Sequence, residues 1–577
     1  MRARTTWRNP STWPFFQRDD RLLLIVCGAI VGICSGLAAI ALNRSLIAML
    51  GWLEPYRGRV WSFVLPAAGA ALSSLFLYKI VREGAGHGVP EVIYSVSRFG
   101  GRLRLRSSFS RLVSSCLTIG SGGSAGPEAP VVMSGAAIGS NIARYLMMND
   151  RQRILLVGCG AAGAIGAIFN APIAGTIFSM EVILGEWAAI NLIPIAIAAV
   201  AGTELSRLLQ GNQIAFSHHQ FHIDLLDTSA SIGLAVITAI ASVLLTRAIR
   251  QVNRQSARLS LPPWIRAACG GAVVGLIGLW LPVVLGEGYH AIREMIEGGF
   301  HQGLAVVAVA MLAKILATSL TLGSGGSGGI FAPCLVIGSF AGLTYHRALA
   351  MIWPEAGWAG EGFFALLGMA GMVSGILQAP LTGIFLIVEI TGGYEVILPL
   401  IIVSALSTTL CRTVEPASIY LRDLVERGQL LRPGTDARVL ADLSVPELIE
   451  TDCITVSPNL LLRDFVHVIK RSRRNLFAVE EDNTGRFLGM VDLADVRPFL
   501  FDPVIYDTVL VGQIMDRTAE TIELDEEVGN VLSKMDAKGL FSMPVVVDGR
   551  FAGLISKATL LDQYRKELMV QTAHLKS

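Results

Sequence analysis

The sequence predicts an all-α, multi-pass membrane body built from two repeats with broken helices, followed by a smaller water-soluble α/β module. Three observations predict it. The first is composition: of 577 residues, 52% are hydrophobic and 16% charged, whereas a soluble domain is about 25% charged. The charge is also unevenly spread. Residues 436–577 hold 16 basic and 23 acidic side chains, so they carry a net −7 and leave +9 for the first 435 residues. The second is a set of windows without Asp, Glu, Lys or Arg that reach the length of a bilayer span, about 20 residues. They are Leu22–Asn43, Ile154–Met180, Ile315–His346 and Gly362–Val388, with shorter candidates at Ser229–Thr246 and Ala267–Gly286. The third is an internal duplication.

In chain order, residues 1–21 form a cytoplasmic leader: Arg2, Arg4, Arg8, Arg18 and Arg21 precede the first span and favour that side. The following apolar run is too long for a cleavable signal and has no clean small-residue cleavage site. The membrane body spans 22–430. Its glycines, part of a total of 60, cluster beside prolines inside apolar stretches. In a bilayer, irregular backbone survives only where protein or a water-filled cavity satisfies its polar groups, so such clusters mark broken helices around a site. Helix packing through small residues accounts for many glycines but not for the clustering.

The duplication is explicit. Gly120–Gly126 reads GSGGSAG and Gly323–Gly329 reads GSGGSGG; Phe169–Ile183 reads FNAPIAGTIFSMEVI and Leu377–Thr391 reads LQAPLTGIFLIVEIT. The offsets are 203 and 208 residues. A repeated membrane unit of this size points to a transporter with its site at the repeat interface.

Each Gly-rich break leads into a new helix: Gly126-Pro127-Glu128-Ala129-Pro130, Gly329-Ile330-Phe331-Ala332-Pro333 and Gly86-His87-Gly88-Val89-Pro90. Proline in a first helical turn sacrifices no hydrogen-bond donor. The free N–H groups and partial positive charge of a helix N-terminus favour an anion. Lys314 is the nearest cation to the second break, which suits an anion held loosely enough to leave again. A cation pathway would need several inward acids or carbonyl rings. An enzyme is not expected either, since the body has no nucleophile–base pair and no metal-ligand set. The eight cysteines show no Cys-x-x-Cys and read as small core residues, and the His218-His219-x-x-His222 cluster as a surface loop.

These three starts resemble those of the CLC family of chloride channels and chloride/proton exchangers, whose usual forms are G-S-G-I-P, G-K/R-E-G-P and G-x-F-x-P in that order. The resemblance runs to about Arg427 and continues in a paired CBS tail. It implies two inverted repeats and a chloride-selective, voltage-gated-type channel, with a chloride/proton antiporter on the same fold as the alternative. It further implies a homodimer with one pore per subunit in the cell membrane, N-terminus and tail in the cytoplasm. Chloride and membrane lipid are the other expected partners; no nucleic acid, metal or cofactor is expected. Position by position, Glu128 falls on the gating glutamate, Ile330 and Phe331 on the residues whose N–H groups hold the central chloride, and Tyr420 on the tyrosine that faces it from inside.

The departures are specific. His87 stands where the family has a serine hydroxyl; its imidazole either donates to chloride or turns away and leaves Gly88 and Val89 to bind the ion. Pro127 replaces a basic residue and Ala129 a glycine, so the outer site loses one charge. After Glu181, Val182 occupies the position where family exchangers carry the cytoplasmic proton-transfer acid, and valine relays no proton.

From about Leu440, short β-branched runs alternate with amphipathic helices. Phe477–Val479 and Phe487–Val491 bracket one hairpin turn, Pro544–Val547 and Phe551–Ile555 a second around Asp548-Gly549-Arg550. The two units, 445–501 and 512–570, resemble tandem CBS domains. Asp492 replaces the hydroxyl residue in the first end motif, and the second keeps Ser556 but lacks the ribose-binding acid. A dimerising role is favoured over adenine-nucleotide sensing. The run Lys470-Arg471-Ser472-Arg473-Arg474 reads as a solvated face, with phosphate binding the minor alternative.

Overall fold

The structure, a computed structural model, describes residues 20–84, 88–211, 216, 221, 223–427, 439–440 and 443–576. The chain divides into two compact units, Met1–Leu430 and Leu431–Ser577. The leader arginines up to Arg18, His87 and the histidines at 218, 219 and 222 lie outside the described residues.

Among the described residues, the first unit holds two sets of eight helices. The first set is α1 (Asp20–Leu53), α2 (Val64–Leu75), α3 (Val89–Arg98), α4 (Ser107–Gly120), α5 (Glu128–Tyr145), α6 (Asp150–Phe169), α7 (Pro172–Phe178) and α8 (Ala189–Gln210). The second is α9 (Leu225–Arg258), α10 (Pro263–Trp280), α11 (Tyr289–Ile296), α12 (Leu304–Gly323), α13 (Phe331–Ile352), α14 (Glu361–Leu377), α15 (Pro380–Thr391) and α16 (Ile397–Val414); α17 (Arg422–Glu426) follows. Nine helices among the described residues are long and apolar enough to cross a membrane.

The two sets meet antiparallel at the glycine breaks. Gly126 N–H donates to Gly329 O at 2.8 Å and Gly329 N–H to Gly126 O at 2.6 Å. Around this seam the contacts come in mirrored pairs. Ser124 N–H donates to Thr321 Oγ1 at 3.1 Å, and Ser327 N–H to Thr118 Oγ1 at 3.2 Å. Gly122 and Gly325, at φ 110° and 113°, make the matching turns that an L side chain resists. Glu181, just after α7 in the first set, accepts from the N–H groups of Leu381 and Thr382 at the start of α15 (3.2 and 2.8 Å). Glu389, near the end of α15 in the second set, accepts from Ile173 and Ala174 at the start of α7 (3.0 and 2.6 Å). Each set therefore supplies the carboxylate that satisfies the other's orphan helix donors.

Three of the charge-free windows are not single spans. Ile154–Met180 breaks at Asn170 and Gly362–Val388 at Gln378, both left-handed (φ 58° and 55°) and both followed by a helix-starting proline. Ile315–His346 contains the Ser324–Gly329 break region between α12 and α13. Conversely, α8 and α16 are long and apolar enough to cross a membrane despite charges near their ends. Packing within each set is close enough to need glycine. A Cβ on Gly160 would lie 2.0 Å from Gly135 O, and one on Gly368 would lie 2.1 Å from Gly338 O. The cysteines are free, and they divide between core positions such as Cys159 and the exposed Cys269.

The second unit carries two sheets among the described residues: β1 (Thr455–Val456), β2 (Leu476–Glu480) and β3 (Phe487–Asp492) in that order, and β4 (Ser542–Val547) paired with β5 (Arg550–Ser556). Both expected hairpins form, the second closing with Val547 opposite Arg550 across Asp548 and Gly549, which are both at positive φ. Each half keeps its own apolar core, one around Phe465 and Phe477, the other around Met535 and Met543. Arg474 departs from the solvated-face expectation: it pairs with Glu450 and with Asp452.

Candidate functional site

The site grows out of the seam. Because Gly126 and Gly329 bind each other's backbone, the helices that start just beyond them, α5 and α13, begin side by side in the protein interior. Glu128 is the first residue of α5 and is 1% exposed. Its Oε2 fills the space a Cβ on Gly126 would need, 2.1 Å from that ideal position, with Ala332 N 3.0 Å from the same point. That oxygen faces the amides of Glu128 and Ala332 without closing a hydrogen bond of good geometry to either. Oε1 accepts a 2.6 Å hydrogen bond from the Tyr289 hydroxyl. A carboxylate thus occupies the mouth of two helix N-termini, where an anion would otherwise be favoured.

Ile330 and Phe331 are fully buried, 0% and 3% exposed, at the start of α13. The Phe331 ring packs against Phe169 and Phe178, with centroids 5.9 and 5.8 Å away, which fixes the turn carrying its N–H. Tyr420 is 1% exposed and its hydroxyl has no hydrogen-bond partner among the described residues. It lies close enough to Cys334 and Glu128 to interact electrostatically with both. A buried hydroxyl without a partner is costly. Gly88 caps α3 at φ 84°, and its α-carbon abuts α5, so that a Cβ there would meet Met133 Cβ at 3.1 Å and Ala129 O at 3.2 Å. Val89 follows, fully buried. Glu128, Gly88, Val89, Ile330, Phe331 and Tyr420 therefore share one interior region. Val182 is partly buried on the π-helical turn Ser179–Leu184 against which α3 packs; beside it, Glu181 is committed to capping α15.

Sequence reasoning passed over Tyr289, because Gly286-Glu287-Gly288-Tyr289 lacks the proline of the other starts. The signal was present: Gly286-x-Gly288 repeats Gly86-x-Gly88 at an offset of 200 residues. It also missed how two buried cations are held. Lys314 is fully buried and donates to Val284 O and Gly286 O at 3.1 and 2.9 Å. Arg111, at the mirrored place in the first set, donates to Gly84 O and Glu91 at 3.1 Å each. Both cations fix loops beside helix starts.

In the second unit, the hydroxyls of Ser556 and Thr559 both donate to Glu450, the first at 2.6 Å, and Arg474 pairs with the same carboxylate. Partial burial alone would raise that carboxyl; these hydrogen bonds and the guanidinium more than offset it and hold Glu450 below its ordinary range. In the first half, Asp492 caps the next short helix by accepting from Ala494 N–H at 2.8 Å.

The family model described as Voltage gated chloride channel matches residues 69–412, and the CBS domain model matches 445–502 and 511–566. A putative chloride channel protein ClcB-like of Ralstonia nicotianae is 29% identical over 71% of the chain and 98% of its own length. Chloride channel protein CLC-f of Arabidopsis thaliana is 26% identical over 91% of the chain and 77% of its own length. Among solved structures, a slow cyanobacterial Cl−/H+ antiporter superposes with a TM-score of 0.64 at 23% identity, covering 70% of this chain and 98% of the other. A eukaryotic CLC transporter superposes with 0.63 at 17% identity over 94% and 99%. At these identities the superpositions establish the fold: inverted repeats with broken helices.

Proposed function

Because the chain belongs to the voltage-gated chloride channel (CLC) family of multi-pass membrane transport proteins, we propose that it is a passive chloride channel, gated by Glu128. Ile330, Phe331, Gly88 and Val89 offer backbone N–H groups to the ion, and Tyr420 offers its hydroxyl. His87, beside Gly88, is the remaining candidate ligand. The observation that carries the passive reading is Val182: no side chain there accepts or donates a proton, and neighbouring Glu181 is engaged with α15. The arginine-rich leader supports a cytoplasmic N-terminus and tail. In the tail, the hydroxyls of Ser556 and Thr559 are already used by Glu450, which supports a dimerising role over nucleotide sensing.

The test is the reversal potential of purified protein in liposomes under opposed chloride and pH gradients. A channel gives the Nernst potential of chloride whatever the pH gradient, and no proton uptake when chloride flows. Uptake coupled to chloride would establish the antiporter instead; its loss in His87→Ala would name the histidine as the relay. The reading includes a homodimer with separate pores. A tandem dimer with one inactivated subunit should keep about half the flux; loss of all flux would argue for one shared pore.

A further inference from the structure

We propose that Tyr289 is a latch for the Glu128 gate, a positioning residue contributed by the second repeat that holds the first repeat's carboxylate in the closed position. The inference rests on the reading of Glu128 as the gate. It rests equally on geometry that reading does not use. Tyr289 begins α11, directly after Gly288 in the left-handed region (φ 86°). This glycine has no room for a side chain: a Cβ would lie 2.9 Å from a Val336 methyl and 3.3 Å from Lys314 Nζ. The loop is anchored on its other side by Lys314, through Gly286 O and Val284 O. The ring is backed by Phe216, at 6.2 Å between centroids and an interplanar angle of 70°. Phe216 is itself 2% exposed and tied by its N–H to Ile390 O at 3.2 Å. The hydroxyl is thereby aimed at Glu128 Oε1 at 2.6 Å.

A phenol donating to a carboxylate makes a charge-assisted hydrogen bond, stronger than one between neutral groups. This bond exists only while Glu128 is folded into the seam, so it favours the closed state over any state in which the carboxylate has swung out. The other polar groups facing the carboxylate are Glu287 on the same loop, Cys334 on α13 and Tyr420, with Lys314 on α12 countering Glu287. Of these, Tyr289 alone is hydrogen-bonded to Glu128 among the described residues.

Chloride efflux from liposomes at one fixed pH tests it with four proteins: wild type, Tyr289→Phe, Glu128→Gln and the double variant. Tyr289→Phe keeps the ring and its packing and removes only the donor. It should raise flux by about tenfold or more, the effect of losing one hydrogen bond to a charged group, and it should add nothing in the Glu128→Gln background. Phe216→Leu, which loosens the ring without touching the hydroxyl, should raise flux in the same direction by less and be equally silent beside Glu128→Gln. Wild-type flux in folded Tyr289→Phe, or the same fold-change with and without the Glu128 carboxylate, overturns the latch. If Glu128→Gln opens the pore and Tyr289→Phe does not, the latch alone falls; if Glu128→Gln itself has no effect, gate and latch fall together.

Discussion

Glu128→Gln should hold the pore open. The wild-type carboxylate occupies the start of α5 beside the Ala332 amide, and a chloride cannot share those donors with a second negative charge. Glutamine has nearly the same shape and no charge, so it loses the attraction to two helix N-termini and the stronger form of the Tyr289 bond. One hydrogen bond to a charged group is worth about 1.5–3 kcal/mol, so the ratio of open to closed pores should rise by about tenfold or more. External acid should raise wild-type flux by neutralising the same carboxylate, whereas the variant should give one flat, high level from about pH 5 to 8. Currents in planar bilayers at stepped external pH measure both. A variant with wild-type flux and an undiminished pH response would make Glu128 a structural acid and remove the gate from the mechanism.

Gly160→Val should destroy the folded membrane unit. A Cβ at this position would sit 2.0 Å from the carbonyl oxygen of Gly135 and 2.4 Å from its carbon. Both are backbone, so no rotamer change relieves the clash; α5 and α6 must move apart, and α5 carries Glu128. Overpacking against mobile side chains costs about 1–3 kcal/mol, and here nothing mobile is available to yield. The expected result is loss of the monodisperse peak on size exclusion in detergent, with no measurable flux. Gly51→Ala is the control: on α1, with nothing within 4 Å of its would-be Cβ, it should leave the elution profile unchanged. A Gly160→Val protein that elutes and transports like wild type would show that these helices are held more loosely than the glycines imply.

The seam was legible because its ingredients are rare in apolar sequence. Glycine runs followed by proline admit few explanations in a bilayer, and their recurrence near a two-hundred-residue offset marked the duplication. The breaks at Asn170 and Gln378 were harder to see. They use left-handed residues other than glycine, and because Asn170, Gln378 and the prolines that follow are uncharged, a charge-free window runs straight through them. A search for charge-free windows also misses α4 and cuts α12 short, because Arg111 and Lys314 are satisfied by loop carbonyls that only the fold brings near. Hairpins in the tail were readable from Asp-Gly and alternating β-branched residues. The role of Arg474 was not, because its partners Glu450 and Asp452 lie more than twenty residues away in the chain.

The crossed carboxylates, Glu181 capping the start of α15 and Glu389 capping the start of α7, bear on how the protein is made. A ribosome that has released only the first eight helices has placed Glu181 in the membrane with no donors to receive it, and has left the start of α7 bare. Neither group meets its partner until residues 380–389 arrive. The seam between Gly126 and Gly329 likewise waits for the second set of helices to be synthesised. A half-made chain therefore lacks the backbone pairing of Gly126 with Gly329 from which the proposed anion path is built.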